Sequence, residues 1–503
     1  MTGPDYFGLS FACSDALVSS RRGTEHLDRL VLCILKFMDG EGELNEWHGY
    51  WWLPDAPDDR VPGRLSVEAN GSTHLELIGG FDLTNRAARP GPVVASERHR
   101  DVPVLLGEAE GTPITLLECF ELASRGGFFS RPTFQRMHVH QALVGAHITD
   151  DEPVFRSARI QIENLATWLA LPTSMRSSDL GNGSHEASVR PAEPRTVTVD
   201  GWRIEARAHA QHFQMTRTRE RETVASDITA YLFLTPDSST TATGFDEMIL
   251  RIMDLVTLAS GKPSGLIGAT LSHVREREHR MADGSTRSYP IEVESYGRRV
   301  HTAEPAAPGV SEHDFRFTCD DLAFDRLLTE WMRIRDAAPA ACNVYFGMSY
   351  SNPGFTETRL LMSVIAAEAL HGSLRGNITD MTKEHFAKLR DDVLAAIPDE
   401  DDKAWVKRAL RNAPSLRERL RALASIPDQK AREALVPDVE EWAGRLVRAR
   451  NGLAHSGDEN GDPNIFELAW ATSGLIALIL MSELGLPATV QQRAATSVLT
   501  VAR

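Results

Sequence analysis

Lysine is scarce in this chain: 7 of its 54 basic residues are lysine and 47 are arginine. A GC-rich coding sequence explains that bias, although arginine is also the planar, always-charged phosphate binder. Cysteine is sparse too. The five residues, Cys13, Cys33, Cys119, Cys319 and Cys342, form no C-x-x-C pair. This pattern argues against a zinc ribbon or a disulfide framework and fits reduced thiols in a cytoplasmic protein. Met1 to Ser20 lacks the basic segment and apolar run of a signal peptide. The most apolar stretch, Leu468–Ser482, has 15 uncharged residues. A bilayer needs about 20, so it reads as a buried helix and no membrane partner is expected. The sequence also lacks a P-loop Lys-Ser/Thr after its Gly261–Gly268 stretch, a G-x-S-x-G elbow and an H-E-x-x-H motif. His138, His140 and His147, and the pair His273 and His279, have no metal-ligand spacing with carboxylates. No metal and no cofactor is expected.

What remains is a chain of 503 residues, 42% hydrophobic and 25% charged, with a net charge of −16. That is enough for two or three domains with real cores. The acidic balance disfavours nucleic-acid binding through overall charge but leaves a local basic face open.

The hydrophobic period divides the chain. Before about residue 310, short alternating runs flank turn residues. Leu65, Val67 and Ala69 lead to Asn70-Gly71 and then Leu75 and Leu77. Val197 and Val199 lead to Asp200-Gly201 and then Trp202, Ile204 and Ala206; Val102–Leu106 and Ile114–Phe120 flank Glu110-Gly111. Such pairs favour the positive φ angles of tight hairpins. Ser226–Leu234 reads as a further strand, and Phe245–Ala259 as one interrupting helix. The Ser-, Gly-, Asn- and Pro-rich segment 174–195 is the best internal boundary. Trp47, Tyr50, Trp51 and Trp52 read as β-domain core, with glycan or base stacking as the alternative.

From about 311 the period becomes 3.6. Phe324, Leu327, Leu328, Trp331 and Ile334 mark one helix; Leu361, Val364, Ile365 and Glu368 share a face of the next. Further helices are expected over about 382–396, 401–411, 415–425, 438–456 and 463–485, separated by prolines. The fold class is therefore α+β and multidomain: a β-rich region, 1–310, then an all-α region, 311–503.

One motif carries chemistry. Arg450-Asn451-Gly452-Leu453-Ala454-His455 ends a long helix, with Gly457 as the stop. Arg-x4-His spacing also occurs at Arg21/His26 and Arg207/His212. Only the third has Asn after Arg and lies in the helical region. Asn451 and His455 share a helix face, and the helix C-terminus favours the imidazolium. His can move protons on and off oxygen while Arg stabilises charge on a phosphate. Charge supports the placement: residues 403–450 hold 12 Lys or Arg against six Asp or Glu, a net of +6, leaving −22 for the rest. A basic island of that kind suits an RNA backbone, although solvated amphipathic helices explain part of it.

Arg450-Asn451-x-x-x-His455 resembles the signature of HEPN domains, small helical bundles of which many are metal-independent endoribonucleases. Leu360–His371 resembles the HEPN helix that carries a Glu facing the motif. The resemblance makes Arg450 and His455 the catalytic pair, Asn451 an assisting polar residue and Glu368 a residue that pairs with and orients Arg450. Val61-Pro62-Gly63-Arg64-Leu65, Leu75-Glu76-Leu77-Ile78-Gly79 and Pro113-Ile114-Thr115-Leu116-Leu117-Glu118-Cys119 resemble ApeA-like antiphage proteins. That resemblance implies a sensing region and an RNA-cutting HEPN domain released on infection. It also implies RNA as substrate with tRNA as the candidate, a phage-derived trigger and a homodimer. Two alternatives remain at this level: a non-catalytic HEPN module that binds nucleotide or RNA or mediates dimerisation, and a carbohydrate-binding β region using Trp47, Trp51 and Trp52.

Overall fold

The computed structural model describes residues 45–68, 71–83, 101–126, 131–148, 152–171, 174–179, 185–210, 213–297, 309–351, 354–376, 381–455 and 464–501. Cys13, Cys33, Asn70, Gly457 and the Arg21/His26 pair lie outside them.

The first six strands are β1 (Asn45–Trp52), β2 (Val61–Val67), β3 (Thr73–Ile78), β4 (Asp101–Ala109), β5 (Thr112–Arg125) and β6 (Phe134–Val144). They run β6-β3-β2-β1-β4-β5, and β5 pairs back onto β6, so they close into an antiparallel barrel. Alternation fills its interior with Trp51, Leu65, Leu75, Leu77, Ile114 and Leu116. Gly107 admits the Trp51 ring: a Cβ there would lie 2.2 Å from Trp51 Cε3. Glu110 (φ +52°) and Gly111 (φ +76°) turn β4 into β5 as their sequence expects.

Beyond Val139, the edge of β6 that pairs with β3 is taken over by β16 (Thr286–Tyr296) at residues 142–144. From there an open sheet continues through β15 (Leu266–Arg280), β7 (Phe155–Ile162), β14 (Ile228–Pro236) and β11 (Trp202–Ala210) to β10 (Arg195–Val199). Asp200 and Gly201, at φ +50° and +76°, make the β10–β11 turn. The expected boundary at 174–195 holds a separate ribbon, β8 (Ser174–Asp179) with β9 (His185–Arg190), and the start of β10. Strands before and after it join the same open sheet. A second ribbon, β12 (Gln214–Arg217) with β13 (Glu222–Ala225), stands exposed.

Helix α1 (Leu165–Leu169) and α2 (Ala242–Ser260) pack on the open sheet, where Trp202 meets Phe245 at 5.1 Å between ring centroids. The bundle follows: α3 (Phe324–Ala337), α4 (Pro339–Tyr350), α5 (Thr356–Arg375), α6 (Lys383–Ala395), α7 (Glu400–Ala409), α8 (Leu416–Ala424), α9 (Gln429–Leu435), α10 (Val439–His455), α11 (Ile465–Glu483) and α12 (Ala488–Val501). The residues whose spacing marks α3 are all buried. Helix α3 also lies against β10, the one end of the twelve-stranded sheet not closed by barrel pairing. Helix α11 is long and apolar enough to cross a membrane, but most of it is buried in the bundle. A single apolar core runs from the open sheet through α2 into the bundle.

One alternative is set aside and one expectation changes. Trp51 and Trp52 are buried while Tyr50 is 56% exposed. Strand alternation sends these rings to opposite faces, and Trp51 fills the barrel, so they build no common glycan platform. On α5 the buried arc runs through Leu360, Ser363, Val364, Ala367, Leu370 and His371, leaving Ile365 exposed. Helix α5 is clasped by α4, α8, α10 and α11, so its apolar face is set by several neighbours.

Candidate active site

Helix α10 starts where Asp438 Oδ1 accepts the Glu441 amide at 2.9 Å, and Glu440 and Glu441 sit in its first turn. Both suit the positive end of a helix. Trp442, Ala443, Leu446 and Ala449 are its buried face. Trp442 Nε1 donates to Thr472 Oγ1 on α11 at 3.2 Å, pinning the two helices together. Arg450 follows Leu446 by one helical turn and is half-buried at the border of that face; Asn451 is exposed. Arg450 Nη1 donates to Asn451 Oδ1 at 3.2 Å. The adjacent pair is thus one polar unit near the helix end. His455 is the last residue of α10; its side chain lies outside the described residues.

Glu368 does not pair with Arg450. Its partner is Arg419 of α8, with Arg419 Nη1 at 4.0 Å from Glu368 Oε1. Arg419 Nε also donates to the Pro414 carbonyl at 3.1 Å. The cause is the α8–α5 packing, which brings a second guanidinium to Glu368 while the Arg450 guanidinium turns onto Asn451. One turn beyond Glu368, buried His371 is held below its ordinary pKa, first by burial and then by Arg419 and Arg375. It is a neutral imidazole at neutral pH.

Arginines from two helices meet beside this site. A Cβ at Gly444 would lie 3.4 Å from Arg417 Nη2 and 3.5 Å from Arg448 Nη1, so both guanidinium groups reach the same spot on α10. Arg417 donates to the Glu440 carbonyl at 3.1 Å, and Arg421 pairs with the Glu440 carboxylate. From Arg445 to its end, α10 carries Arg445, Arg448 and Arg450 and no acid. Such a concentration of one sign attracts a polyanion. Sequence reading did not single out Arg417, Arg419, Arg421 or His371; the charge excess over 403–450 was the available signal for the three arginines. Among the described residues no group of three or more His, Cys, Asp or Glu is arranged to hold a metal ion.

A β-rich region followed by a helical bundle, with Arg-Asn-x-x-x-His closing a bundle helix, defines a HEPN-domain protein. The ApeA N-terminal domain 1 family matches residues 46–331, and the Apea-like HEPN family matches residues 361–490, which include Glu368, Arg450, Asn451 and His455. The chain belongs to the ApeA family, with a C-terminal HEPN domain. No curated protein and no solved structure matches it. Membership associates the chain with antiphage defence, and HEPN domains are in general ribonucleases.

Proposed function

We propose that this protein is a metal-independent endoribonuclease of abortive antiphage defence, acting in the cytoplasm as a homodimer, with residues 1–310 sensing infection and 311–503 cutting RNA, tRNA being the candidate target. The observation that carries this reading is the Arg450–Asn451 unit at the end of an acid-free, arginine-rich stretch of helix, five residues before His455.

The RNA 2′-OH is the nucleophile. It attacks the adjacent phosphorus, the bond to the 5′ oxygen breaks, and the products are a 2′,3′-cyclic phosphate and a 5′-OH. His455 takes the proton from the 2′-OH or returns one to the leaving oxygen. Arg450 stabilises the charge that grows on the non-bridging oxygens, where hydrogen bonds to a charged donor are strongest. Asn451 holds the Arg450 guanidinium. Glu368 is a positioning residue that acts through Arg419.

Purified wild-type protein, triggered or overexpressed, should cut RNA in the presence of EDTA. His455→Ala and Arg450→Ala should each lower the rate by about 100-fold or more without shifting the thermal midpoint. Wild-type cleavage by either variant would remove the assignment. RNA binding with no cleavage by the wild-type chain would favour a non-catalytic HEPN module.

A further inference from the structure

Helices α6 and α7 form a hairpin that buries nothing. Its base is clamped from both sides: the Met381 amide donates to Asn412 Oδ1 at 3.2 Å, and Asn412 Nδ2 donates to the Met381 carbonyl at 2.7 Å. Both helices are capped. Thr382 Oγ1 accepts the His385 amide at 3.2 Å, and Asp399 Oδ1 accepts the Asp401 and Asp402 amides at 2.9 Å. No residue from Met381 to Asn412 is buried, and none joins the apolar core that runs through the bundle. Leu389 is 43% exposed and Trp405 65%. Helices of 13 and 10 residues are marginal in water unless an apolar face is packed. The two pack on each other, and what they leave bare calls for a further surface.

Charge divides the hairpin along its length. Residues 391–402, which include its tip, hold six acids and no base. Its two legs, 383–390 and 403–411, hold seven Lys or Arg and one acid. The tip is therefore −6 and the legs are +6. Leu389 stands six residues before the end of α6, and Trp405 five after the start of α7. At 1.5 Å per residue both lie about 8 Å from the link between the helices, at the level where the sign changes. The ion pairs inside the hairpin are Arg390–Asp391 at 3.0 Å and Lys403–Glu400 at 2.6 Å. Among the described residues, Asp392, Asp401 and Asp402 and the basic Lys407, Arg408 and Arg411 have no ionic partner.

We infer that the α6–α7 hairpin is an interface for a second copy of this chain, two hairpins lying antiparallel about a two-fold axis near Trp405. A two-fold contact sets one patch against itself, so the patch must complement itself. This one does so in the antiparallel arrangement: each acidic tip meets the basic legs of the other copy. The parallel arrangement sets six acids against six and is repelled. At the centre, Leu389 and Trp405 meet Leu389 and Trp405 of the partner subunit, where a buried aromatic anchor contributes most. The six acids repel a phosphate backbone, so a partner of mixed charge fits this face better than RNA does. The inference gives the homodimer of the reading above its contact and is independent of whether RNA is cut.

Sedimentation equilibrium of the full chain tests it. Trp405→Ala should weaken dimerisation by about 30-fold or more. Raising the salt from about 0.1 M to about 0.5 M should weaken the wild-type dimer. Lys407→Glu with Arg408→Glu, and separately Asp391→Lys with Asp392→Lys, should each weaken self-association. An equimolar mixture of those two variants should associate more tightly than either alone, because the intact tip of one meets the intact legs of the other. Unchanged far-ultraviolet circular dichroism marks each variant as folded. Dimerisation of Trp405→Ala and of both charge variants at the wild-type constant overturns the inference and leaves the homodimer to another surface. A monomeric wild-type chain that still cuts RNA overturns it together with the homodimer, while the ribonuclease assignment stands. Loss of RNA affinity in Trp405→Ala with the dimer intact also overturns it, and assigns the hairpin to RNA.

Discussion

At the scale of single residues, the Glu368–Arg419 pair is the informative departure. Both side chains are about one-third exposed, so solvent screens the pair and its stability contribution is at most about 1 kcal/mol. Glu368→Gln should therefore barely move the urea midpoint. It should slow RNA cleavage less than Arg450→Ala does, because Arg450 is held by Asn451 and not by Glu368. A cleavage defect equal to that of Arg450→Ala would place Glu368 in direct contact with substrate. Arg450, Asn451 and His455 could be put forward from the sequence because Asn after Arg, and a place at the end of a helix in the helical region, set this Arg-x4-His apart from Arg21/His26 and Arg207/His212. The partner of Glu368 could not: it depends on which of several arginines a third helix delivers, and spacing within one helix is silent on that.

Elements were read where one face alone is wet. The Glu110-Gly111 and Asp200-Gly201 hairpins, and helices α2, α3, α6, α7, α8, α10 and α11, fall close to their expected spans. The β15–β16 hairpin was not read from the sequence, and its outer half carries no signal. Past Ser272 the run Arg275-Glu276-Arg277-Glu278 is exposed on both faces, so no apolar alternation marks it. Helix α4 was missed for a different reason: its exposed positions are Pro339, Ala340 and Asn343, so no charged face contrasts with the buried Ala341, Cys342, Tyr345 and Phe346. Helix α8 owes its start to a reciprocal cap, in which the Glu418 amide donates to Ser415 Oγ at 3.3 Å and the Ser415 amide to Glu418 Oε2 at 2.7 Å. Ser415→Ala should cost about 1 kcal/mol. Since α8 carries Arg417, Arg419 and Arg421, the same variant should show weaker RNA binding by anisotropy at temperatures where α2 and the sheet remain intact.

Across the whole molecule, the β-rich and helical regions are joined by a buried polar cluster. Asp254 of α2 meets Arg335 of α3 at 3.1 Å and accepts the Tyr350 hydroxyl of α4 at 2.5 Å. Trp331 Nε1 donates to the Arg251 carbonyl at 2.6 Å. Burial pushes the Asp254 carboxyl up to about 7, against the pull of Arg335 and Tyr350. Its unfolded value is near 3.9, so folding takes up a proton between the two. The stability this group contributes is present below about pH 4 and is lost as the pH rises through about 7. Thermal midpoints taken from pH 5 to pH 8 should fall more steeply for the wild-type chain than for Asp254→Asn. The continuous core bears equally on truncation. A 311–503 fragment exposes the faces of α3 and α4 that α2 covers, so it should be poorly soluble and monitor aggregation more than release from inhibition. Light scattering beside an activity assay separates the two.

The same junction limits the reciprocal fragment. In the twelve-stranded sheet, barrel closure consumes one end, and β10 is the other, lying against α3. Residues 1–310 expressed alone would present β10 as a bare strand edge, a template for pairing with other chains. With α3 against it, that edge should pair less readily with other chains, and residues 1–310 alone should associate more than the full chain in sedimentation.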